Sequence, residues 1–359
     1  MNNSRKTKLV SIVVPCRNEE YFIADCITSV LDFDLPEHIQ IEVLVLDGLS
    51  EDQTVIKLRS IMKKDTRVKL FTNPGKIQST AINIAVMKAK GEWILRLDAH
   101  STYPQNYLKL CYETMLRTGA DNVGGLFITQ PRGVNYQAYL VQALTTHPFG
   151  VGNAGFRIGM NEGKADTVPY GFYRKSVFAE VGLMDERLVR AQDYEFNRRI
   201  LKSGGSIWMN PQINVIYYNQ PSLFAFLKKQ LILEAPYNAY MWYLAPYTFA
   251  FRHAITAVFA TGVIGGLTIS HLSPLVECVF LGTMVLYFFL GVLSAFQQSL
   301  RYRKFLHLIT LPFSFFLYHF IHGAGVLYGL FTLLLGRAPV QQHAEPWPGA
   351  DRLRAWPVE

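Results

Sequence analysis

The sequence predicts an α/β protein in which a mostly parallel sheet, with helices on both faces, is followed by a transmembrane helical region. Strand-like and helix-like apolar patterns alternate through the first ~220 residues, as they do in sheets of this kind. Charged residues are frequent up to about Glu234 and then become rare. The stretch 235–335 contains only five of them: Arg252, Glu277, Arg301, Arg303 and Lys304.

Four strands are expected within the first hundred residues, because four apolar runs each stop at a proline or a polar residue. They are Val10–Cys16, Ile41–Leu46, Val68–Phe71 and Trp93–Leu97. Helical spacing lies between them, at about 22–31, after Asp52 and at about 79–90. Ligands of such open sheets bind beyond the carboxyl ends of the strands, where Asp47, Asp98 and His100 fall.

The segment "ILRLDAH" places Asp98 and His100 two residues apart at the end of the fourth strand. In extended backbone their side chains point to the same side. A carboxylate and an imidazole are suitable ligands for Mn²⁺ or Mg²⁺, and the histidine favours manganese. The alternative is that His100 only forms a hydrogen bond in a turn while Asp98 caps the loop. Both interpretations stay open at this point.

Two further stretches carry polar residues of interest. "NPGKIQSTAIN" is a glycine-containing loop that enters a helix, where backbone amides and Lys76 are placed to meet an anion. "RAQDYEFNRRILKSGG" places Asp193 just ahead of a helix. A carboxylate there is either an N-cap or a general base held over the crevice of the sheet.

Three uncharged stretches approach or exceed the roughly 20 apolar residues needed to cross a bilayer. Ala254–Ser270 and Cys278–Phe296 are interpreted as spans. Phe305–Leu335 is longer than one span needs, so it is a tilted helix, a helix with an interfacial extension at Pro312, or two re-entrant pieces. The aromatic-rich segment 235–253 suits the membrane interface.

The basic loop that contains Arg301, Arg303 and Lys304 lies between two spans, and the positive-inside rule places it in the cytoplasm. With two spans before this loop, the N-terminal domain also faces the cytoplasm of a multi-pass protein in the inner (cell) membrane. The residues behind the net charge of +8 are expected to lie on the solvated surface and to contact anionic lipid head groups, and no nucleic-acid partner is expected. No signal peptide is expected, and the four cysteines are expected to be reduced packing residues.

With these residues assembled, the chain resembles the family 2 glycosyltransferases of GT-A fold over about residues 8 to 235. The resemblance rests on four segments that occur in the family's order. "VSIVVPCRNEE" resembles its opening strand, "VLDGLSEDQT" its nucleotide-binding segment and "GEWILRLDAH" the strand that bears its Asp-X-Asp motif. "VPYGFYRKSVFAEVGLMDERLVRAQDYEFNRRILKSGG" is similar to the acceptor half with its Glu-Asp base motif.

The resemblance implies a role for each matching residue. It implies that Asp193 is the catalytic base and that Asp98 and His100 hold Mn²⁺ or Mg²⁺. It also implies a nucleotide-sugar-binding set, which consists of Pro15, Asn18, Glu19, Asp47, Lys76 and Asp98.

The chain departs from the family pattern at three site positions. His100 replaces the second motif aspartate, and Asp-Ala-His is similar to bacterial exopolysaccharide glucosyltransferases of the succinoglycan-assembly type. Gln192 stands where an acid usually precedes the base, and Gly48 replaces the second residue of the usual Asp-Asp. No Gln-X-X-Arg-Trp follows Gln220, which argues against a processive cellulose- or hyaluronan-type synthase.

The expected organisation is a cytoplasmic GT-A glycosyltransferase domain at 1–234, an interfacial aromatic segment at 235–253, about three transmembrane helices at 254–336 and a tail at 337–359. The implied activity is inverting, metal-dependent transfer of a sugar, a hexose, from a UDP-type nucleotide sugar. The acceptor is a lipid-linked or membrane-associated saccharide in cell-surface polysaccharide synthesis. The glycine-rich stretch 147–164 is expected to order over bound substrate as a lid, or else to be a loose surface connection.

Two rival functions belong to other classes. One is a non-catalytic, membrane-tethered regulator that binds a nucleotide sugar; the retained Asp98, His100 and Asp193 disfavour it. The other is a transporter, which the shortage of ionisable residues in the expected spans disfavours. Release of nucleotide that depends on a sugar donor would exclude the regulator.

Overall fold

The computed structural model describes residues 7–342, so the predicted tail lies outside the described residues from position 343 onward. Within this part of the chain, eight strands form one sheet. In chain order they are β1 Lys8–Cys16, β2 Ile39–Asp47, β3 Val68–Thr72, β4 Trp93–Arg96, β5 Asn122–Gln130, β6 Gly163–Lys164, β7 Phe172–Arg174 and β8 Ile207–Tyr218.

The helices fall into two groups by length. Those that accompany the sheet are mostly of about three turns, and the last three are long and apolar. In chain order they are α1 Ile23–Leu31, α2 Thr54–Met62, α3 Gln78–Lys88, α4 Tyr107–Thr118, α5 Tyr136–Thr145, α6 Pro148–Val151, α7 Gly155–Ile158, α8 Lys175–Val181, α9 Gln192–Lys202, α10 Leu223–Lys229, α11 Ala235–Leu244, α12 Phe251–Ile269, α13 Pro274–Tyr302 and α14 His307–Leu334.

The sheet has the strand order β3-β2-β1-β4-β7-β5-β8-β6. Strands β1 to β4 pair in parallel, as the sequence predicts, with bounds within two residues of the expected ones. The second half is antiparallel where β7 meets β4 and β5, and where β6 meets β8. The predicted mostly parallel α/β architecture is therefore confirmed, and the later strands make the sheet mixed.

Local sequence explains how these elements end and pack. Helix α1 buries Ile23, Cys26, Ile27 and Val30, which recur at helical spacing and face the sheet. Helix α4 ends at Gly119, whose φ of 68° is the left-handed conformation that glycine adopts at little cost. The first four strands are continuous apolar runs because helices cover both of their faces.

The chain divides into two compact units. The first contains the described residues up to Ile128 together with Gly159–Ile216, and the second contains Thr129–Ile158 together with the residues from Tyr217 onward. The stretch 129–158 therefore belongs with the C-terminal helices, whereas the sequence analysis places it inside the domain 1–234.

Three helices of the second unit are long and apolar enough to cross a membrane: Phe251–Leu272, Pro274–Tyr302 and His307–Gln341, the first and last including short helical extensions. The stretch Phe305–Leu335, for which three interpretations stayed open, contains one α-helix, α14, and Pro312 lies inside this helix. Most of its side chains are apolar and many are exposed, as expected for helices that face lipid.

The predicted interfacial segment, 235–253, begins with α11, whose first seven residues are buried. Gly325 and Gly329 of α14 allow its backbone close to Ala235 and Pro236. A π-helical turn, Gln230–Glu234, joins α10 to α11. The glycine-rich stretch 147–164 is partly helical, and Phe149 of α6 packs against Phe315 and His319 of α14; its ordering over bound substrate stays a prediction.

Candidate functional site

The loops after β1 and β2 are tied to each other by hydrogen bonds. Asn18 adopts a left-handed φ of 54°. Its backbone N–H donates to Ser50 Oγ at 2.9 Å, and its Oδ1 accepts from the Glu51 backbone N–H at 2.9 Å. Pro15 lies opposite Leu46 in the parallel register of β1 and β2. Asn18 is therefore part of a fixed loop at the carboxyl ends of the central strands, and Pro15 lies in the last two residues of β1 just before that loop.

Asp47 ends β2, and only 7% of its surface is exposed. Its carboxylate accepts hydrogen bonds from the hydroxyl of Ser50 at 2.5 Å and from the Ser50 backbone N–H at 3.1 Å. Burial, followed by the charge of Asp47, raises the pKa of the neighbouring Cys16 thiol. Asp47 thus stabilises its own loop, and its contact with a nucleotide stays a prediction.

Lys76 lies in the loop between β3 and α3 with a left-handed φ of 57°, and its side chain is exposed. Its backbone N–H donates to the carbonyl of Asn73 at 3.2 Å. Within residues 7–342, two buried polar atoms near this loop, Asn73 Oδ1 and Ser79 Oγ, have no hydrogen-bond partner. Polar atoms of this kind are expected to meet a ligand or water.

Asp98 follows the end of β4 by two residues, and the two oxygens of its carboxylate have different surroundings. Oδ1 forms an ion pair with Arg96 Nη2 at 2.8 Å and accepts a hydrogen bond from Gln78 Nε2 at 3.2 Å. Oδ2 faces His100 Nε2 at 4.0 Å. The carboxylate is therefore held through one oxygen, while the other points toward the imidazole.

His100 and Glu19 form a second pair at the same strand ends. His100 Nδ1 lies 3.1 Å from Glu19 Oε1, and 53% of the histidine side chain is exposed. Because Nδ1–H donates to a carboxylate, the neutral ring keeps its lone pair on Nε2, which faces Asp98. The hydrogen bond to Glu19 raises the pKa of His100 despite the opposing effect of burial. Glu19 therefore orients His100, a role that the sequence analysis did not assign to it.

The donor set at Asp98 and His100 fits a divalent cation that shares its coordination with a ligand. Asp98 Oδ2 and His100 Nε2 are an oxygen and a nitrogen donor on one side of the loop, and Glu19 supplies the outer hydrogen bond typical of metal-bound histidine. Among the described residues, no group of three or more His, Cys, Asp and Glu side chains converges into a complete metal site. A cation held here needs further ligands from a bound diphosphate or from water.

Asp193 lies in the first turn of α9 and is half-buried. The N-cap position of α9 belongs to Ala191, with φ of 62°, so the N-cap interpretation of Asp193 is wrong. Burial raises the pKa of Tyr173, and the charge of Asp193 raises it further. The charges of Asp98 and, after it, Asp193 raise the pKa of Arg96, which pairs with Asp98. The carboxylate is therefore near the strand-end cluster.

Arg96 and Gln78 are site residues that the sequence analysis missed. Arg96 is 7% exposed, and its Cζ lies 5.0 Å from the centre of the Tyr170 ring. Gln78 at the start of α3 accepts a hydrogen bond from Gln192 Nε2 and donates to Asp98. The only sequence signal for Arg96 is a cation inside an otherwise apolar strand, "WILRL".

The structure thus gathers most of the predicted site residues at one edge of the first unit. Asp98, His100 and Glu19 are in direct contact, and Gln192 joins the start of α9 to them through Gln78. Asp47 lies at the end of the neighbouring strand β2 but is bound to its own loop. An arrangement of a cation-binding pair near a half-buried carboxylate is suited to displacement at a phosphate-activated centre.

Comparison with known proteins supports the same conclusion. Residues 11–182 match the model of the family "Glycosyl transferase family 2". The chain is 26% identical over 337 residues to a dolichyl N-acetyl-alpha-D-glucosaminyl phosphate 3-beta-D-2,3-diacetamido-2,3-dideoxy-beta-D-glucuronosyltransferase of Methanococcus voltae. That alignment covers 89% of this chain and 97% of the relative.

A second relative is the succinoglycan biosynthesis protein ExoA of Rhizobium meliloti, 32% identical over 216 residues. The alignment covers 59% of this chain and 64% of ExoA, so it spans less than two thirds of that relative.

Among solved structures, the chain is similar to the mannosyltransferase PcManGT from Pyrobaculum calidifontis, which was solved in complex with GDP-Man and Mn²⁺. The TM-score is 0.60 at 14% identity, and the match covers 91% of this chain and 88% of PcManGT. This likeness concerns the fold. Residues 11–182 thus match glycosyl transferase family 2, the fold is similar to that of PcManGT, and within the described residues three apolar helices long enough to span a membrane follow.

Proposed function

We propose that the chain is a metal-dependent, inverting glycosyltransferase. It transfers a hexose from a UDP-linked sugar to a lipid-linked or membrane-associated saccharide in cell-surface polysaccharide synthesis. The observation that carries the proposal is that Asp98 Oδ2 and His100 Nε2 face each other at 4.0 Å. Asp98 also pairs with the buried Arg96, whose pKa is raised by the charges of both Asp98 and Asp193. These are the groups needed to hold a metal-bound diphosphate and to accept a proton.

On the donor side, Asp98 and His100 are suited to hold Mn²⁺ or Mg²⁺, and Glu19 keeps the histidine in the tautomer that can ligate. The cation, when bound, neutralises negative charge that develops on the departing nucleotide. Lys76 precedes α3, and the buried hydroxyl of Ser79 in the first turn of α3 has no hydrogen-bond partner among the described residues, at a helix end whose amides favour phosphate. The presence of Mn²⁺ and GDP-Man in PcManGT supports a divalent cation and a nucleotide sugar in this proposal.

On the acceptor side, Asp193 takes the proton from the attacking hydroxyl group. It lies in the first turn of α9 and is half-buried. One displacement from the opposite face of the sugar inverts the anomeric centre, and no covalent enzyme intermediate is required.

The acceptor proposal rests on the membrane-like helices and on the M. voltae relative, whose name describes a dolichyl-phosphate-linked sugar as its acceptor. A lipid-linked saccharide is anchored in the bilayer, so an enzyme that extends it benefits from spanning helices. Three basic residues, Arg301 in the last turn of α13 and Arg303 and Lys304 in the loop before α14, support an inner-membrane protein with its glycosyltransferase domain in the cytoplasm.

The experiment that tests this function measures nucleotide release by the full chain in membranes. A panel of UDP-, GDP- and dTDP-sugars is supplied with Mn²⁺ or Mg²⁺, with and without lipid-linked acceptor. We expect release from one UDP-sugar that depends on both the cation and the acceptor. Absence of release from every donor, in a preparation that binds nucleotide, would favour the non-catalytic regulator instead.

A further inference from the structure

Arg96 is the most deeply buried cation at the candidate site. It is the last residue of β4, it is 7% exposed, and its guanidinium lies over the ring of Tyr170. Its backbone N–H donates to the carbonyl of Gly171 at 3.1 Å, so a hydrogen bond also holds the backbone of Arg96 in place. Burying an arginine is costly unless carboxylates offset its charge, so its position calls for a functional explanation.

One carboxylate that offsets this charge is Asp98. Arg96 Nη2 binds its Oδ1 at 2.8 Å, and Gln78 donates to the same oxygen. With Oδ1 occupied twice, the carboxylate plane is set and Oδ2 is left facing His100 Nε2. Arg96 therefore determines which oxygen of Asp98 is available to a cation.

The second carboxylate is Asp193. Burial alone would lower the pKa of Arg96, but the charges of Asp98 and then Asp193 raise it overall. Independent geometry brings the start of α9 to the same point, because Gln192, the neighbour of Asp193, hydrogen-bonds to Gln78 and through it reaches Asp98. Two negative groups from distant parts of the sequence thus share one buried cation.

We infer that Arg96 is a positioning residue that orients Asp98 for the cation and counterbalances Asp193, so that the donor-side and acceptor-side carboxylates coexist in one pocket. This inference rests on the proposed function for the roles of the two aspartates. Without Arg96, the two charges repel each other in a poorly solvated site, and Asp98 is free to rotate away from His100.

The test compares Arg96→Ala with the unmodified full chain in detergent. Binding of Mn²⁺ in the presence of UDP is measured by the electron paramagnetic resonance signal of free Mn²⁺, which requires no turnover. We expect the dissociation constant of Mn²⁺ to rise about 10- to 100-fold, as for loss of other groups that orient metal ligands. Nucleotide release should fall further, by at least ~100-fold, because Asp193 is displaced too.

Added guanidinium ion, below the concentrations that unfold the chain, distinguishes positioning from a purely structural role. It should bind in the space left by Arg96→Ala and restore part of the Mn²⁺ affinity. The matched control is Arg199→Ala on α9, which removes an arginine whose side chain is 14% exposed and whose Nε donates to Glu195 at 2.9 Å. Its loss should lower thermal stability without changing Mn²⁺ affinity, and guanidinium should have no effect on that affinity.

A wild-type Mn²⁺ dissociation constant in folded Arg96→Ala would overturn the inference. If that variant does not fold, the deciding variant is Arg96→Lys, which keeps the charge but loses the forked donor. Unchanged Mn²⁺ affinity of Arg96→Lys would overturn the inference, and weakened Mn²⁺ affinity would support it. If the unmodified chain binds Mn²⁺ with UDP in an Arg96-dependent manner but releases no nucleotide, the positioning role stands and the proposed activity fails.

Discussion

At the scale of single residues, His100 uses its two ring nitrogens differently. Nδ1 is bound to Glu19 at 3.1 Å, and Nε2 faces Asp98 at 4.0 Å. The nitrogen that faces Asp98 must be unprotonated to ligate a cation. Glu19 therefore acts on cation binding in two opposite ways: it fixes the ring, and it raises the pKa at which the ring becomes protonated.

We predict that Glu19→Gln weakens Mn²⁺ binding about 10-fold at pH above 7, because the ring is held less firmly and is less basic. The acid limb of binding should also move to lower pH, since the pKa of His100 falls when the carboxylate charge is lost. Mn²⁺ titrations with UDP from pH 5 to 8 measure both effects. An acid limb that stays in place would show that Glu19 does not act through His100; Arg59→Gln, at an exposed position of α2, serves as control.

Sequence reasoning predicts the residues whose position alone is informative and misses those defined by their partners. Asp98, His100 and Asp193 were predictable because polar residues directly follow an apolar strand or open a helix. Arg96 and Gln78 were not, because their role depends on a carboxylate that only the folded chain brings to them. The charge of Arg96 inside a strand was the one local signal.

At the scale of elements, a buried polar network joins the parallel strands. Glu42 on β2 accepts hydrogen bonds from Ser11 on β1 at 2.7 Å and from the Lys90 backbone N–H at 2.7 Å, and it pairs with Lys69 on β3 at 2.7 Å. Burial tends to raise the pKa of Glu42, but these hydrogen bonds and the Lys69 charge lower it below its ordinary value of 4.5.

A carboxyl whose pKa is lowered by folding stabilises the folded state above its unfolded pKa, and the effect is lost as the pH falls through the folded pKa. We therefore predict that Glu42 contributes fully above pH 4.5 and progressively less below it. Glu42→Gln should lower the thermal midpoint at pH 7 and flatten its decline between pH 5 and 3. Thermal scans at a series of pH values measure this, and an unchanged slope would refute it.

Close packing of α14 is the second element-scale feature. A Cβ added at Gly323 would lie 2.0 Å from the carbonyl oxygen of Thr256 and 2.7 Å from Ala260 Cβ, both on α12. Small residues at such crossings let helices approach in membranes. Gly262, also on α12, would meet nothing within 4 Å.

We predict that Gly323→Ala destabilises the chain by about 1–3 kcal/mol, because the helices must separate. The same substitution at Gly262 should be neutral or stabilising, since alanine favours a helix over glycine by about 1 kcal/mol. Thermal unfolding of both variants in one detergent makes the comparison. Equal midpoints for the two would contradict the packing account.

The elements themselves were predictable to different degrees. Strands β1 to β4 follow from continuous apolar runs such as Val10–Cys16, because burial on both faces leaves a local pattern. The antiparallel strands β5 to β8 were not placed, since their partners come from distant segments. Gly125 of β5 illustrates this: its Cβ would clash with the carbonyl of Ile213, a contact set by tertiary structure alone.

At the scale of the whole molecule, the stretch 129–158 begins at the end of β5 but belongs to the helical second unit. Leu140, Val141 and Leu144 of α5 are buried in one cluster with Leu311 and Phe315 of α14. Polar contacts add to this: Gln298 donates to the carbonyl of Ala143 at 2.6 Å and His147 pairs with Gln297 at 2.8 Å. The sequence boundary at 234 did not anticipate this, because α5 is too short to resemble a span.

We predict that the fragment 1–234 is poorly soluble without detergent, because truncation removes the α14 residues that cover α5. The same fragment with Leu140→Gln and Leu144→Gln should be more soluble, since the exposed apolar surface is smaller. Size-exclusion chromatography of both fragments and of the full chain in detergent measures this. A monodisperse, folded 1–234 without substitutions would show that α5 does not depend on the helical unit.

The central claim is that Asp193 is the base of a sugar transfer whose donor is held elsewhere, by Asp98 and His100. Asp193→Asn tests it most directly, with nucleotide release and UDP–Mn²⁺ binding measured on the same preparation. The account predicts that transfer falls by at least ~100-fold, the usual contribution of a general base, while UDP–Mn²⁺ affinity stays close to that of the unmodified chain. Substantial residual turnover with binding intact would contradict it.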